Sequence, residues 1–431
     1  MATYSETLDR IYNLRGGMID LRLDRMEQAL ALFGHPERQF PSLHIAGTNG
    51  KGSTAAMLAR VLSLAGYRAA LYTSPHLVSF TERMRVGDGE ISQDEVVALA
   101  DEVHRVTDAA DVPLTFFEFV TVMALVYFAR RQVEIAVVEV GLGGRLDATN
   151  VVCPLVSVIT TVAIDHEAYL GPDELSIGRE KGGIIKPAVP VVCGQMSEAV
   201  NGMLKEIAAD RGSPAYFLSS DFGFFLKNDG GFDYTGIKQR YNNLKLALRG
   251  AHQRNNASLV LATLELAQSR FPVREEFLRE GLATVHWPGR LEYILDRPTV
   301  VLDGAHNSEG IRALIVALGE IRQGRKVKLL FAAMADKEWG LMIRALASVV
   351  DEIMFTRVEM ARSADPERLA DKLTGTLPRR AIRDSRVALK TLLDESHEDD
   401  VIVVAGSLYL LGEVRPMLEQ IAAGRAPGAP A

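Results

Sequence analysis

A short apolar run, Leu43-His44-Ile45-Ala46, leads directly into Gly47-Thr48-Asn49-Gly50-Lys51-Gly52-Ser53, and Met57, Leu58, Val61, Leu62 and Ala65 then recur at helical spacing until Gly66 ends the pattern. Buried strand, glycine-rich turn and helix in that order commit the chain to a layered α/β architecture. The same order is the geometry of a phosphate cradle. Backbone N–H groups and the positive end of the helix face an anion, a lysine neutralises the outer phosphates, and a hydroxyl reaches Mg2+. A turn that only joined strand to helix would not require Lys51 beside a hydroxyl, so residues 43–62 read as a nucleotide-binding segment.

The turn departs from the standard pattern G-x-x-x-x-G-K-[ST]. That pattern needs Gly at position 45 and Ser or Thr at 52, where this chain has Ile45 and Gly52. The variant G-T-N-G-K-G-S resembles the P-loop of the Mur ligase superfamily, in which ATP-dependent enzymes join an amino acid to a carboxylate.

At 431 residues the chain exceeds what one ordinary core accommodates, so two domains are expected. The net charge is −7 and no block of consecutive lysines and arginines stands out, which argues against a nucleic-acid surface. The first residues lack the apolar core of a signal peptide, and the longest apolar run, about residues 119–129, is too short to cross a bilayer. Cys153 and Cys193 form neither a ligand cluster nor a disulfide framework; both lie in apolar stretches and read as packing residues. A cytoplasmic protein without membrane or nucleic-acid partners is the expectation.

Residues 1–40 read as helix, through Leu8, Ile11, Tyr12 and Leu14 and then Leu21, Leu23, Met26, Ala29, Leu30 and Phe33. About forty residues are too few for the extra N-terminal domain with which peptidoglycan-type Mur ligases hold a UDP-sugar. Residues 69–72 read as a second strand, 80–90 as an exposed loop, and 91–106 as a helix opened by a Ser92/Glu95 capping box. Residues 117–130 are apolar almost all round and read as a buried helix. Residues 133–140, 155–162 and 189–192 are β-branched and nearly continuously apolar, as in a parallel sheet covered on both faces. Residues 212–250 read as a small antiparallel excursion, followed by a long helix from His252. Trp287-Pro288-Gly289-Arg290 breaks regular structure, which puts a domain boundary near 285–298. A second, smaller α/β unit then has strands near 299–302, 328–333, 352–356 and 401–405. The expected division is 1–290, 298–420 and a disordered tail at 421–431.

In an open parallel sheet, ligands bind beyond the carboxyl ends of the strands. The phosphate loop follows the first strand, Ser74 the second, Glu139 ends the third and His166 lies just past the fourth. Glu139 in an apolar strand needs a partner, either a base such as Arg145 or a cation. His166 alone would suit a helix cap as well as a ligand, but beside Glu139 and Ser74 it completes an oxygen-rich set suited to Mg2+. By spacing alone, Lys181 reads as a solvated helix lysine.

The segments HIAGTNGKGS, TSPHL with ERMRV, TFFEF, EVGLGGRLDATN, DH, EKGGIIKP, WPGRLE and DGAHN together resemble the folylpolyglutamate synthase/dihydrofolate synthase family, from about Ile19 to Gly412. The resemblance implies an N-terminal P-loop ATPase domain with a mostly parallel sheet and a C-terminal Rossmann-like domain, with the active site in the cleft between them. It implies that Gly50, Lys51, Gly52 and Ser53 hold the ATP phosphates and that Asn256, Arg290 and Asp303 contact ATP. Ser74, Glu139 and His166 would hold Mg2+. Lys181, contrary to its spacing, would be carbamylated beside a second Mg2+. Catalysis would fall to Lys51, Lys181, His166 and Arg290. Ile19, Asp20 and Leu21, then Phe116, Phe117, Glu118 and Phe119, and Leu146, Asp147 and Ala148 match segments that contact dihydropteroate. His306 and Ser407 lie where glutamate binds. Val162-Ala163-Ile164 stand where relatives commonly have a glycine and a leucine.

The implied activity is ligation of L-glutamate to dihydropteroate and to reduced folates through an acyl phosphate, by a monomer. The competing readings are another Mur-superfamily amide ligase, of peptidoglycan or cyanophycin type, and a P-loop kinase or ATPase without ligation.

Overall fold

The computed structural model describes residues 2–14 and 22–425. It divides into two compact units, Met1–Ala247 with Gln253–His286, and Leu248–His252 with Trp287–Ala431. Ile19, Asp20 and Leu21 lie outside the described residues.

In the first unit, β1 (Ser42–Ala46), β2 (Ala69–Tyr72), β3 (Met84–Val86), β4 (Gly89–Glu90), β5 (Ile135–Glu139), β6 (Pro154–Ile159), β7 (Val191–Cys193) and β8 (Ala215–Phe217) form one sheet. Its order is β4-β3-β2-β5-β1-β6-β7-β8. From β2 to β8 every pairing is parallel, while β3 and β4 add an antiparallel hairpin at the β2 edge. β1, β2 and β5 are buried along their whole length, the burial their apolar runs demand. The helix Phe116–Arg130 has no polar face and is buried from Glu118 to Phe128. Its neighbour Gln93–Ala109 starts at the Ser92/Glu95 capping box. Three further strands, β9 (Gly223–Leu226), β10 (Phe232–Thr235) and β11 (Arg240–Leu244), form the small antiparallel sheet.

Three local expectations are corrected. Residues 80–90 are not an exposed loop: Phe80, Thr81, Arg83 and Met84 are buried, and the segment continues into the β3–β4 hairpin. The Glu82 carboxylate organises the turn by accepting from the N–H groups of Leu77, Val78 and Ser79 at 2.7–2.8 Å. Cys193 is buried as a packing residue, but Cys153 is exposed. A helix, Glu275–Thr284, occupies a stretch that had been given no element.

The second unit has a sheet of six strands. These are β12 (Glu292–Asp296), β13 (Thr299–Leu302), β14 (Val327–Phe331), β15 (Glu352–Phe355), β16 (Arg379–Ala381) and β17 (Val401–Ala405), in the order β12-β13-β17-β14-β15-β16. Only β12 runs antiparallel to its neighbour. The short edge strands β12 and β16 were not foreseen; β12 lies inside the stretch expected to be the boundary. The final helix, Leu408–Arg425, runs past residue 420 into the stretch expected as tail. Among the described residues no helix is long and apolar enough to cross a membrane.

Candidate active site

Sheet order brings the carboxyl ends of β2, β5, β1 and β6 side by side. Ile45 pairs with Glu139 and Ala46 with Ile159, so Glu139 ends its strand beside the start of the phosphate loop. Ser74 follows β2 on the far side of β5, and its N–H donates to Glu139 Oε2 at 3.1 Å.

The loop from Gly47 to Gly50 owes its shape to the segment after β6. Thr48 N–H donates to Thr161 O at 2.9 Å, Asn49 N–H to Thr161 Oγ1 at 3.0 Å, and Thr160 Oγ1 donates to Asn49 O at 2.6 Å. Gly50, at the N-cap of the helix Lys51–Leu64, has φ +85, and a Cβ there would lie 2.5 Å from Asn256 Oδ1. Only glycine fits that turn. Lys51 Nζ donates to Gly47 O at 3.0 Å and Thr48 O at 3.2 Å. Ser53 is buried and its Oγ accepts from Gln253 Nε2 at 3.3 Å, while Gln253 Oε1 accepts from Asn256 Nδ2 at 2.9 Å. The structure thus brings Gly50, Lys51, Gly52, Ser53 and Asn256 together.

Glu139 is buried, but not against Arg145, which pairs instead with Glu180 at 2.8 Å. His166 has a left-handed backbone, φ +54, at the N-cap of the short helix Glu167–Leu170, and its N–H donates to Asp165 Oδ1 at 2.8 Å. No group of three or more His, Cys, Asp or Glu side chains gathers among the described residues in a way that could enclose a metal. The Glu139 carboxylate and the Ser74 hydroxyl are oxygen donors of the kind that Mg2+ takes while keeping several waters in its shell.

Lys181 is not a solvated lysine; it is 3 % exposed. Burial, reinforced by the Lys51 ammonium, holds its amine down to about pKa 7, against the pull of Asp165 and Asp147. A lysine in this state is partly neutral near pH 7 and nucleophilic.

The loop after β5 is joined to the Lys181 helix through Arg145 N–H, which donates to Glu180 O at 2.7 Å. Leu146 and Ala148 flank Asp147 in it. Asp147 accepts from Leu142 N–H at 2.8 Å, Thr149 N–H at 3.0 Å and Thr149 Oγ1 at 2.5 Å. Burial pushes its carboxyl up while these donors pull it down. Phe116 and Phe117 are half-buried, Phe116 stacked on Tyr12 at 5.5 Å, whereas Phe119 is in the core. Glu118 is buried too, and its carboxylate is engaged by Arg25, at 2.8 Å, and by Thr115 N–H, at 2.7 Å. Its visible task is to anchor the helix start.

In the second unit, Asp303 follows β13, and Gly406 and Ser407 follow β17, the neighbouring strand. Asp303 accepts from Leu291 N–H and Ala305 N–H, each at 3.0 Å, and burial raises its carboxyl against the influence of Arg290. His306 Nδ1 lies 2.7 Å from Gly304 O, and Ser407 is buried. Arg290, Asp303, His306 and Ser407 thus belong to one sheet edge and the turn beside it. Sequence reasoning passed over Thr160, Thr161 and Gln253. Position at the end of β6 could have signalled the two threonines; nothing in the sequence singles out the glutamine.

The comparisons with known proteins run along this same framework. The profile of the Mur ligase middle domain matches residues 45–264, and that of the Mur ligase, glutamate ligase domain, matches residues 289–408. The dihydrofolate synthase/folylpolyglutamate synthase of Bacillus subtilis is 33% identical over 408 residues, covering 92% of this chain and 95% of its own. The chain belongs to the dihydrofolate synthase/folylpolyglutamate synthase family. It is accordingly an ATP-dependent ligase with the two α/β domains of the Mur ligases. The structure of Escherichia coli FolC in complex with DHPP and ADP is similar at a TM-score of 0.90 and 30% identity, covering 97% of this chain and 98% of that one. A Yersinia pestis bifunctional folylpolyglutamate synthase/dihydrofolate synthase, complexed with AMPPNP and Mn ion, has a TM-score of 0.88 at 31% identity, covering 97% and 98%.

Proposed function

We propose that this protein joins L-glutamate to dihydropteroate, forming dihydrofolate, and to tetrahydrofolate and its polyglutamates, with ATP cleaved to ADP and phosphate. The observation that carries the reading is the shared edge of β2, β5, β1 and β6, where a phosphate loop, a buried carboxylate and a buried lysine of depressed pKa meet. Family membership along nearly the whole chain gives that edge its substrates. In this reading the first unit, Met1–Ala247 with Gln253–His286, is the ATP-binding domain and the second, Leu248–His252 with Trp287–Ala431, the glutamate-ligase domain, acting as a cytoplasmic monomer.

The N–H groups of residues 50–53 and the Lys51 ammonium hold the phosphates, with Asn256 beside Gly50 and with Arg290 and Asp303 as further nucleotide contacts. Ser74, Glu139 and His166 would hold one Mg2+ and a carbamylated Lys181 a second, and the metal would supply Lewis acidity to the phosphoryl oxygens. A folate or pteroate carboxylate attacks the γ-phosphorus, the bond to the ADP oxygen breaks, and Lys51 and Arg290 offset the charge that develops. Phe116, Phe117, Leu146, Asp147 and Ala148 line the path of that substrate. The α-amine of glutamate, held by His306 and Ser407, then attacks the acyl carbon and phosphate leaves. Lys181 suits carbamylation because its amine, neutral in part near pH 7, can add to carbon dioxide and release a proton.

Phosphate release with ATP, Mg2+ and glutamate, compared between dihydropteroate and tetrahydrofolate, tests the proposal. Turnover dependent on both glutamate and a pteridine carboxylate is expected. Glutamate-independent ATP hydrolysis would instead favour an ATPase without ligation.

A further inference from the structure

Arg290 sits between two residues whose backbones are pinned. Gly289 has φ +71 and Leu291 φ +46, the latter a conformation that side-chain-bearing residues resist. Gly289 N–H donates to Glu292 Oε2 at 2.8 Å, and Gly289 O accepts from Gly304 N–H at 2.8 Å. On the other side, Leu291 N–H donates to Asp303 Oδ2 at 3.0 Å. Two carboxylates therefore hold the strained turn on either side of Arg290.

Glu292 is itself held. Arg415, from the helix Leu408–Arg425, donates from Nη2 to Glu292 Oε1 at 2.9 Å and from Nε to Oε2 at 3.4 Å. The pair is largely buried, with side chains 15% and 11% exposed. A buried ion pair is a poor device for stability alone, since well-packed apolar residues of similar volume hold a helix on a sheet as well or better. An apolar pair could not, however, fix an acceptor under the Gly289 N–H.

We propose that Arg415 is a positioning residue for the ligation reaction. By fixing the Glu292 carboxylate it sets the Gly289–Leu291 turn, and with it the place of the Arg290 guanidinium at the nucleotide phosphates. The inference rests on the reading of Arg290 as a phosphate contact.

The test is a double-mutant cycle on the full-length enzyme, reading kcat and KM for ATP, and KM for glutamate, by phosphate release. Arg415→Met is expected to lower kcat/KM for ATP by about 10- to 100-fold, the loss typical of a group displaced by about an ångström, with glutamate KM changed less than about twofold. Arg415→Lys, which can reach one Glu292 oxygen, is expected to fall between the wild type and Arg415→Met. In the Arg290→Ala background, adding Arg415→Met is expected to lower activity no further than about twofold. Unchanged ATP kinetics in Arg415→Met, with Arg290→Ala impaired, overturns the positioning role and leaves the Arg290 reading standing. Losses that multiply in the double variant also overturn it. Full activity in Arg290→Ala removes the reading beneath it and overturns both. If Arg415→Met does not fold, the isosteric Glu292→Gln, which loses the charge that Arg415 clamps, enters the same cycle with the same expectations.

Discussion

Replacing Lys181 with methionine should make this protein more stable while abolishing its activity. The side chain is 3 % exposed and its amine is held at about pKa 7, against 10.5 for a free lysine side chain. Between those values the unfolded chain binds the proton more tightly than the folded one, so stability rises with pH across that window. The burden on the folded state is largest below about pH 7 and fades toward 10.5. At about 1.4 kcal/mol per tenfold difference in proton affinity, burial of this amine costs about 4 kcal/mol at pH 7.5 and about 2 kcal/mol at pH 9. Lys181→Met removes the burden and replaces it with apolar packing that does not depend on pH. Urea unfolding followed by circular dichroism, in buffer freed of carbon dioxide, is expected to place the variant above the wild type, with the gap narrowing by about 2 kcal/mol from pH 7.5 to pH 9. Bicarbonate should then stabilise the wild type alone, because a carbamate that forms on the folded lysine acts as a ligand of the folded state. A gap of equal size at both pH values would refute the depressed amine.

Three other perturbations follow from the geometry. Gly50→Ala forces a Cβ into positive φ and to within 2.5 Å of Asn256 Oδ1, a strain of about 1–3 kcal/mol; ADP titration calorimetry should show weakened binding, and unchanged affinity would contradict the tight fit. Glu139→Gln keeps a group that can accept from Ser74 N–H but removes the charge, so the Mg2+ concentration for half-maximal activity should rise at least about tenfold; an unaltered Mg2+ titration would exclude Glu139 as a ligand. Arg25→Met leaves the Glu118 carboxylate buried without its cation and should cost about 3–5 kcal/mol in urea unfolding, partly recovered by adding Glu118→Gln; no recovery would mean that Arg25 acts through packing.

What could be read in advance followed the range of the interactions involved. β1, β2 and β5 lie in continuous apolar runs, and the Ser92/Glu95 capping box depends on residues three apart, so both are legible locally. The hairpin at 84–90 is not, because it forms by pairing with the edge of β2, distant in sequence, and is closed by the Arg85–Glu90 ion pair at 2.8 Å. Position at strand ends correctly grouped Ser74 and Glu139 at one edge, since alternation of strand and helix fixes which ends face the same way. It could not show that Lys181 is buried, for burial of one lysine on a short helix depends on what packs against it. Nor could it foresee that Gln253 reaches back 200 residues to Ser53. The chain also visits the second unit at Leu248–His252 before returning to the first at Gln253, a detour of five residues that no change of composition marks.

The lysine of the phosphate loop is engaged with its own loop, Nζ donating to the carbonyls of Gly47 and Thr48. That arrangement bears on kinetic selectivity. The loop's shape is fixed by Thr160 and Thr161 when the chain folds, so an arriving nucleotide does not have to order it. If Lys51 holds phosphate as proposed, the nucleotide displaces two hydrogen bonds to recruit the charge. A polyphosphate that engages several N–H groups at once can meet that threshold, whereas a single inorganic phosphate or sulfate ion gains much less from the exchange. In the proposed function the lysine would therefore favour ligands by the number of phosphates they present, before any base or sugar is read.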